Sequence, residues 1–331
     1  MSSGRGRPYP AAVAHGGKRA SVLELTSWLF VAFVGLTTIS QAIGWAGTTN
    51  VAVVQSLTPY LGVALVPVIA VAFWRGRLIL VTVASSIAVA ILVLAAPLAF
   101  PDPQPAVAAD STGLRVASLN LWYENTRIDE VDDVLAAIDA DVVVFSEYTA
   151  DHRKVLQASA LADTYPERTD RAGRGATGVA IWSRWPLRID DTIETFNESL
   201  DVTVTGPDGV ARIVAMHMPT PLVDFDAWRA DLATAAQIGR GAAGPTLLIG
   251  DLNSSYWHPD FRQLLDAGFV DANAAAGSGF STSWPTGGII PPFVRLDHAL
   301  TTGGLVSTDV ADFDVPGGDH RGLVVTVAPA R

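Results

Sequence analysis

Six stretches of this 331-residue chain carry carboxylates, carboxamides or imidazoles at the ends of apolar runs. In Thr246-Leu-Leu-Ile-Gly250-Asp251-Leu252-Asn253 an apolar strand pattern stops at a glycine, and two oxygen-bearing side chains follow, two residues apart. Residues at that spacing can face one side of a strand end. A carboxylate and a carboxamide there can orient a water or join the ligand shell of a metal. Taken alone, the same pair also fits an Asx-turn, in which each side chain serves only its own backbone. The other five stretches shift the balance. Asn120 closes the alternating run from Leu114, Glu147 follows Asp141-Val-Val-Val-Phe145-Ser, and His217 ends the run from Ala211. Asp297 with His298 falls within Phe293–Leu300, and Asp319 with His320 precedes Gly322–Val327. Ligand sites in sheet proteins gather at strand ends, so six such ends exceed what turn chemistry alone explains.

The elements that must position these groups alternate along the chain. Strand patterns at Val179–Ser183, Asp201–Thr205 and Val306–Phe313 join those above, with a turn at Pro207-Asp-Gly209. Helical spacing marks Ile128–Ile138, Phe225–Ile238 and Pro259–Leu265, and Thr149 suits the cap of a helix reaching about Leu161. No internal repeat is sustained. The glycine- and arginine-rich stretch Arg171–Gly178 lacks the strand-to-helix setting of a phosphate-binding loop and reads as an ordinary loop. Arg184 reads as structural, and His258 and His298 as packing or surface residues.

Charge divides the chain in two. The first hundred residues hold six Lys or Arg and one acid, Glu24, leaving 16 basic and 32 acidic residues beyond, a formal charge of −16. The chain has no cysteine, which excludes disulfides, thiolate metal sites and a cysteine nucleophile. Residues 1–20 are polar, glycine-rich and basic and are expected to be a disordered cytoplasmic tail. Residues 21–100 are expected to form a membrane anchor of three transmembrane helices, Thr26–Gly44, Val51–Phe73 and Leu78–Phe100. Pro59 and Pro67 would kink the second. Arg5, Arg7, Lys18, Arg19, Arg75 and Arg77 flank the spans so that the positive-inside rule keeps both basic segments in the cytoplasm. Everything after Phe100 is then extracytoplasmic, in a multi-pass protein of the cell membrane. The first segment also fits a signal peptide, whose cleavage would leave the C-terminal part on the same side. The second and third spans hold no ionisable residue, so nothing supports an ion pathway. Residues 101–112 read as a proline-rich linker spacing a soluble module, 113–331, from the membrane.

The module resembles the endonuclease/exonuclease/phosphatase superfamily, the DNase I-like metal-dependent phosphoesterases. The stretches that carry the resemblance are Ser118-Leu-Asn120-Leu, Val144-Phe-Ser-Glu147, Ala215-Met-His217-Met-Pro, Gly250-Asp251-Leu-Asn253, Arg295-Leu-Asp297-His298 and Gly318-Asp319-His320-Arg-Gly. Gly178-Val-Ala-Ile-Trp-Ser183-Arg184-Trp-Pro and Ser281-Thr-Ser-Trp284-Pro also resemble family stretches, and all fall in family order. Gly318 stands where the family usually has serine, a residue without a chemical part. The resemblance implies an α+β fold, a four-layer α/β/β/α sandwich of two central sheets flanked by helices.

It also implies roles. Glu147, with Asn120 and Asp319 nearby, would hold Mg²⁺ or Mn²⁺, hard cations that take oxygen ligands. His320 would be the general base for an attacking water, oriented by Asp297. Asp251 and Asn253 would orient nucleophile and phosphate, His217 would donate to a phosphate oxygen, and Asp319 would sit beside metal or base. The expected activity is metal-dependent hydrolysis of a phosphodiester or phosphomonoester. The substrate could be a small molecule, a lipid headgroup or a nucleic acid, with the bilayer as the other partner and no protein partner evident. The chain beyond residue 100, at −16, lacks the general attraction for nucleic acid, although Arg168, Arg171 and Arg174 could form a local patch. An extracytoplasmic nuclease is the first alternative. A catalytically silent, membrane-anchored binding or sensing domain is the second, and it requires a gap in the catalytic set that the sequence does not contain.

Overall fold

A computed structural model describes residues 22–331; the basic tail expected over residues 1–20 lies outside the described residues. The described residues begin with four apolar helices, α1 (Val22–Ala42), α2 (Thr49–Ser56), α3 (Thr58–Trp74) and α4 (Leu78–Ala99). α1 and α4 are each long and apolar enough to cross a membrane. The segment expected as one middle span is two helices, meeting at 66° across Leu57. Pro59 explains the position of the break: it has no N–H to donate, which suits the first turn of a new helix and not the middle of an old one. Counting that bent pair as one span gives three, and Pro67 is carried inside α3. Val31, Val34, Leu65, Leu80, Ala84 and Ile91 form the seam where the helices meet.

The rest is an α+β sandwich. β1 (Leu114–Asn120), α5 (Val131–Ile138), β2 (Val142–Ser146), α6 (Ala150–Gln157), α7 (Leu161–Thr164), β3 (Glu167–Arg171) and β4 (Val179–Ser183) build the first half. β5 (Leu187–Asp191), β6 (Ser199–Gly206), β7 (Gly209–Met216), α8 (Phe225–Gly241), β8 (Thr246–Asp251), α9 (Pro259–Asp266), β9 (Val270–Asp271), α10 (Ala272–Ala275) and β10 (Asp297–Thr302) build the second. β11 (Leu305–Asp314) and β12 (Arg321–Pro329) return to the first sheet. The sheets run β11-β12-β1-β2-β4-β3 and β5-β6-β7-β8-β10-β9.

Alternation along the strands sets the layers. Val116, Val144, Ile181, Ile213, Ile249 and Val325 face inward and fill the space between the sheets. Leu119, Phe145 and Trp182 face the helices of one side, and Val214, Leu248 and Leu300 meet Trp228 of α8 and Phe261 of α9 on the other. Each such fully buried side chain stabilises the fold by about 1.5–3 kcal/mol. The expected four-layer arrangement is therefore the observed one. β3, β5 and β9, the strands not anticipated, lie at sheet edges; β3 and β5 carry polar and charged residues, so their alternation is weak, and β9 is only two residues long. The run from Phe293 becomes a strand only at Asp297, because Val294 pairs back with Trp284.

The helices sit directly against the sandwich. Gln41 of α1 donates to the Trp257 carbonyl at 2.9 Å, and Arg262 of α9 donates to the Gln41 carbonyl at 2.6 Å. Tyr256 donates to the Leu94 carbonyl and Tyr60 to the Phe293 carbonyl. The proline-rich stretch after α4 lies along the sheet edge: Gln104 bonds Ser307, and Val107 pairs with Ala330. It reaches the module without holding it away from the helices.

Candidate active site

Strand directions bring the chemistry-bearing residues together. β1 runs parallel to β2 and antiparallel to β12; β8 runs parallel to β7 and antiparallel to β10. The ends of β1, β2, β7 and β8 thus lie beside the beginnings of β10 and β12. Asn120 joins the two sheets at this end by donating its Nδ2 to Glu147 Oε1 at 3.0 Å and to Asp251 Oδ2 at 3.1 Å. The inward face of each strand delivers its group: Asn120 continues Leu114–Val116, His217 continues Ile213–Ala215, and Asp251 continues Leu247–Ile249. Asp297 stands opposite Asp251 in the ladder and shares that face.

Backbone strain is concentrated here. Among the described residues four non-glycine residues have positive φ, and three of them, Trp122, Glu147 and Asn253, border this site. Glu147, at φ 57°, accepts from the Tyr123 N–H through Oε2 at 2.9 Å. Asp251 Oδ1 accepts from the Asn253 N–H at 2.8 Å, an Asx-turn, which leaves Oδ2 facing the site. Asn253 donates its Nδ2 to the Met218 carbonyl. Gly250 permits the approach of β8 to the end of β7: a Cβ there would lie 2.1 Å from the Met216 carbonyl oxygen, at φ 141°.

The imidazoles frame Asp251. Nε2 of His217 and Nε2 of His320 each lie 3.7 Å from Asp251 Oδ2, and His217 Nε2 lies 3.9 Å from Glu147 Oε1. His320 Nδ1 is 2.8 Å from Asp297 Oδ2. That bond fixes the ring and leaves Nε2 turned to the space beside Asp251. Burial opposes a charge on His320, yet the carboxylates of Asp297 and Asp251 outweigh it and push its pKa up to about 10. Burial likewise opposes charge on Asp297, and His320 overcomes this and holds its pKa below the usual carboxylate range. Asp251 and Asp319 are shifted up, first by burial, with Asp297 adding to the one and Glu147 to the other.

This end of the sandwich therefore gathers four carboxylates around two imidazoles, and two of those carboxylates are disfavoured as anions. Asp319 Oδ1 is buried and has no hydrogen-bond partner. A buried oxygen left without a donor, beside a second carboxylate, suits a hard cation. The ligating atoms of Asp251, Asp297 and His320 also lie within 4.8 Å of one another, close enough to share an ion.

All eight residues expected at the site stand at this end of the fold. His298 does not, although it adjoins Asp297: it faces the other side of β10, bonding Asp271 at 2.7 Å and the Ser254 carbonyl at 2.9 Å. His258 is also buried, held by Ser255 and by the Ala52 carbonyl of α2. Arg184 pairs with Asp139 and lies over the Tyr165 ring, as a structural residue should. Two contributors were not anticipated. Asn197 Nδ2 approaches His217 Nδ1 at 3.5 Å, and the fully buried Ser283 accepts from the N–H groups of Leu296 and Asp297. Asn197 sits just before β6, so extending the search from strand ends to strand starts would have found it.

A model of the Endonuclease/Exonuclease/phosphatase family matches residues 117–320. Solved structures similar in fold include D. rerio TDP2 complexed with single-strand DNA product, 17% identical over 66% of this chain and 99% of that one, TM-score 0.56. An AP endonuclease from Archaeoglobus fulgidus is 16% identical over 64% of this chain and 98% of that one, TM-score 0.53. A 3′ phosphatase from Neisseria, NExo, bound to a product DNA hairpin, is 17% identical over 64% and 98%, TM-score 0.51. At these identities the likeness is one of fold. No curated protein matches the chain.

Proposed function

This chain belongs to the endonuclease/exonuclease/phosphatase family of phosphoester hydrolases, and we propose that it is a membrane-anchored, divalent-metal-dependent phosphoesterase that hydrolyses its ester by direct attack of water. The observation that carries this reading is the His320–Asp297 pair, 2.8 Å apart, with His320 Nε2 turned toward Asp251. His320 accepts the proton of the attacking water at Nε2 while Asp297 holds the Nδ1 proton and favours the imidazolium that forms. Asp251 and Asn253 orient water and phosphate, and Asn120 holds Glu147 and Asp251 in register across the two sheets. His217 donates from Nε2 to a phosphate oxygen, with Asn197 behind its Nδ1.

Glu147 and Asp319 are the residues to hold Mg²⁺ or Mn²⁺, with Asn120 adjoining; the orphaned Asp319 oxygen supports this placement. Such an ion supplies Lewis-acid polarisation of the phosphoryl group, and its charge opposes protonation of His320, which must be neutral to act as a base. No covalent intermediate is needed.

In this reading residues 21–100 anchor the protein, 101–112 link, and 113–331 catalyse. The apolar length of α1 and α4 supports the anchor, and the basic joint Arg75–Arg77 supports an extracytoplasmic catalytic module. Nuclease action is the second reading, favoured by the DNA bound to the similar folds of TDP2 and NExo. The test is turnover of bis-p-nitrophenyl phosphate by the detergent-solubilised full chain with Mg²⁺ or Mn²⁺. No turnover with any divalent metal, together with no effect of His320→Ala, would overturn the phosphoesterase reading.

A further inference from the structure

One surface of the site is built unlike the rest. From Pro285 to Val294 the chain reads Pro-Thr-Gly-Gly-Ile-Ile-Pro-Pro-Phe-Val, ten residues without a charge in a strongly acidic module. They form a loop closed at its base by the pairing of Trp284 with Val294. Its tip is apolar and fully in the open: Ile289 is 103% exposed and Ile290 62%. Two bulky aliphatic residues side by side at a loop tip mark an interaction surface, since nothing in the fold is gained by leaving them in water.

The loop has two neighbours. On one side it is tied to α3, where Tyr60 donates to the Phe293 carbonyl at 2.7 Å and the two rings meet edge to face. Tyr60 lies in the first turns of α3, at the end of the apolar helices nearest the sandwich, and exposed Val63 and Val66 follow it. A tyrosine there sits at the depth where a bilayer's headgroups begin. On the other side the loop is tied to the site: Thr286 N–H donates to the Asp319 carbonyl at 2.7 Å, and the Trp284 ring lies between Phe293 and His320.

Between loop and site runs a groove of about 900 Å³. Ile290, Pro291, Pro292, Arg127, Arg321 and Asp319 all line it; Arg127 is bonded to Glu130, and Arg321 lies 3.7 Å from Asp314. We propose that the loop tip enters the bilayer surface beside α3 and that this groove receives the phosphate ester of a membrane lipid. The loop that lines the groove is tied to α3 through the Tyr60–Phe293 bond, which holds it at the helix end where a lipid of the same membrane can reach it. Arg127 and Arg321 supply cations for its phosphate by exchanging their present carboxylate partners, Glu130 and Asp314. A module carrying −14 repels a long polyanion, whereas a lipid already in the same membrane needs no long-range attraction. This inference rests on the anchored phosphoesterase reading and names the substrate class for it.

The test uses the full chain reconstituted with Mn²⁺ in vesicles of phosphatidylglycerol, phosphatidylethanolamine and phosphatidic acid. Bis-p-nitrophenyl phosphate and single-stranded DNA serve as the other substrates. Ile289 does not line the groove, so Ile289→Asp is expected to keep turnover of the soluble ester and lower turnover of vesicle lipid by at least about tenfold, a charge being costly at the membrane. Because the chain has no cysteine, Ile289→Cys can be labelled uniquely with an environment-sensitive fluorophore, and doxyl lipids are expected to quench it. Turnover of the soluble ester without turnover of lipid, or of DNA in its place, overturns this inference and leaves the phosphoesterase reading standing. So does an unquenched label. Failure of every substrate removes the underlying reading as well.

Discussion

His320 and Asp297, 23 positions apart at the starts of β12 and β10, meet through a 2.8 Å bond between Nδ1 and Oδ2 in the buried end of the sandwich. The bond orders one nitrogen of the ring and leaves the other free to work. Asp297 is itself held from behind, since Ser283 accepts its backbone N–H and Arg295 donates to its carbonyl at 3.1 Å.

Asp297→Asn keeps the shape of the pair while removing the charge that favours the imidazolium. It is expected to lower the rate constant for a soluble phosphodiester by about 10²- to 10⁴-fold, with KM little changed. Steady-state kinetics measures this, and a loss confined to KM would argue against a role in proton transfer.

Metal binding separates two places for the cation. With the ion held by Glu147 and Asp319, Glu147→Gln weakens Mn²⁺ binding by about tenfold or more, whereas Asp297→Asn leaves it nearly unchanged. Titration calorimetry of the two variants reads the difference. The opposite ranking would place the ion among Asp251, Asp297 and His320.

His258 makes the contact between helices and sandwich sensitive to acid. Its Nδ1 accepts the Ser255 N–H at 2.9 Å, so its proton is on Nε2, which donates to the Ala52 carbonyl at 3.0 Å. A second proton has no room, and burial pushes the pKa down to about 4. In the unfolded chain the ring takes up a proton near pH 6.5. Stability is therefore full above pH 6.5, falls as pH drops from there toward 4, and levels off below. The loss from this group is up to about 3 kcal/mol. Denaturation in detergent across that window measures it, and His258→Gln should flatten this part of the profile.

Gly250→Ala adds a Cβ that meets the Met216 carbonyl oxygen, on a backbone with φ 141°. The expected cost is about 1–3 kcal/mol, seen as a lower melting temperature, with activity falling further because Asp251 is displaced.

Much of the site is legible in one dimension because strand alternation is local. Once Leu247 and Ile249 are core, Asp251 must share their face, and the same parity carries Asn120, His217 and Asp297 inward. That parity also separates Asp297 from its neighbour His298, and only the β10 start at Asp297 reveals it; a strand read from Phe293 leaves both open. Asn197 is marked in the sequence only by its place before β6, whereas Ser283 acts through bonds from the N–H groups of Leu296 and Asp297, more than ten positions away, which no spacing announces.

From its sequence alone the chain is determined as apolar helices followed by an acidic sandwich with polar residues at its strand ends. Hydropathy and period-two alternation are properties of neighbouring residues, and they suffice for that much. Tertiary structure decided the rest: the docking of Gln41 on Trp257 and of His258 on Ala52, and the tying of the Ile289–Ile290 loop to α3 through Phe293 and to Asp319 through Thr286. Those relations join residues tens to hundreds of positions apart. They follow from how the strands order themselves in the two sheets and how the helices pack on them, which no local pattern encodes.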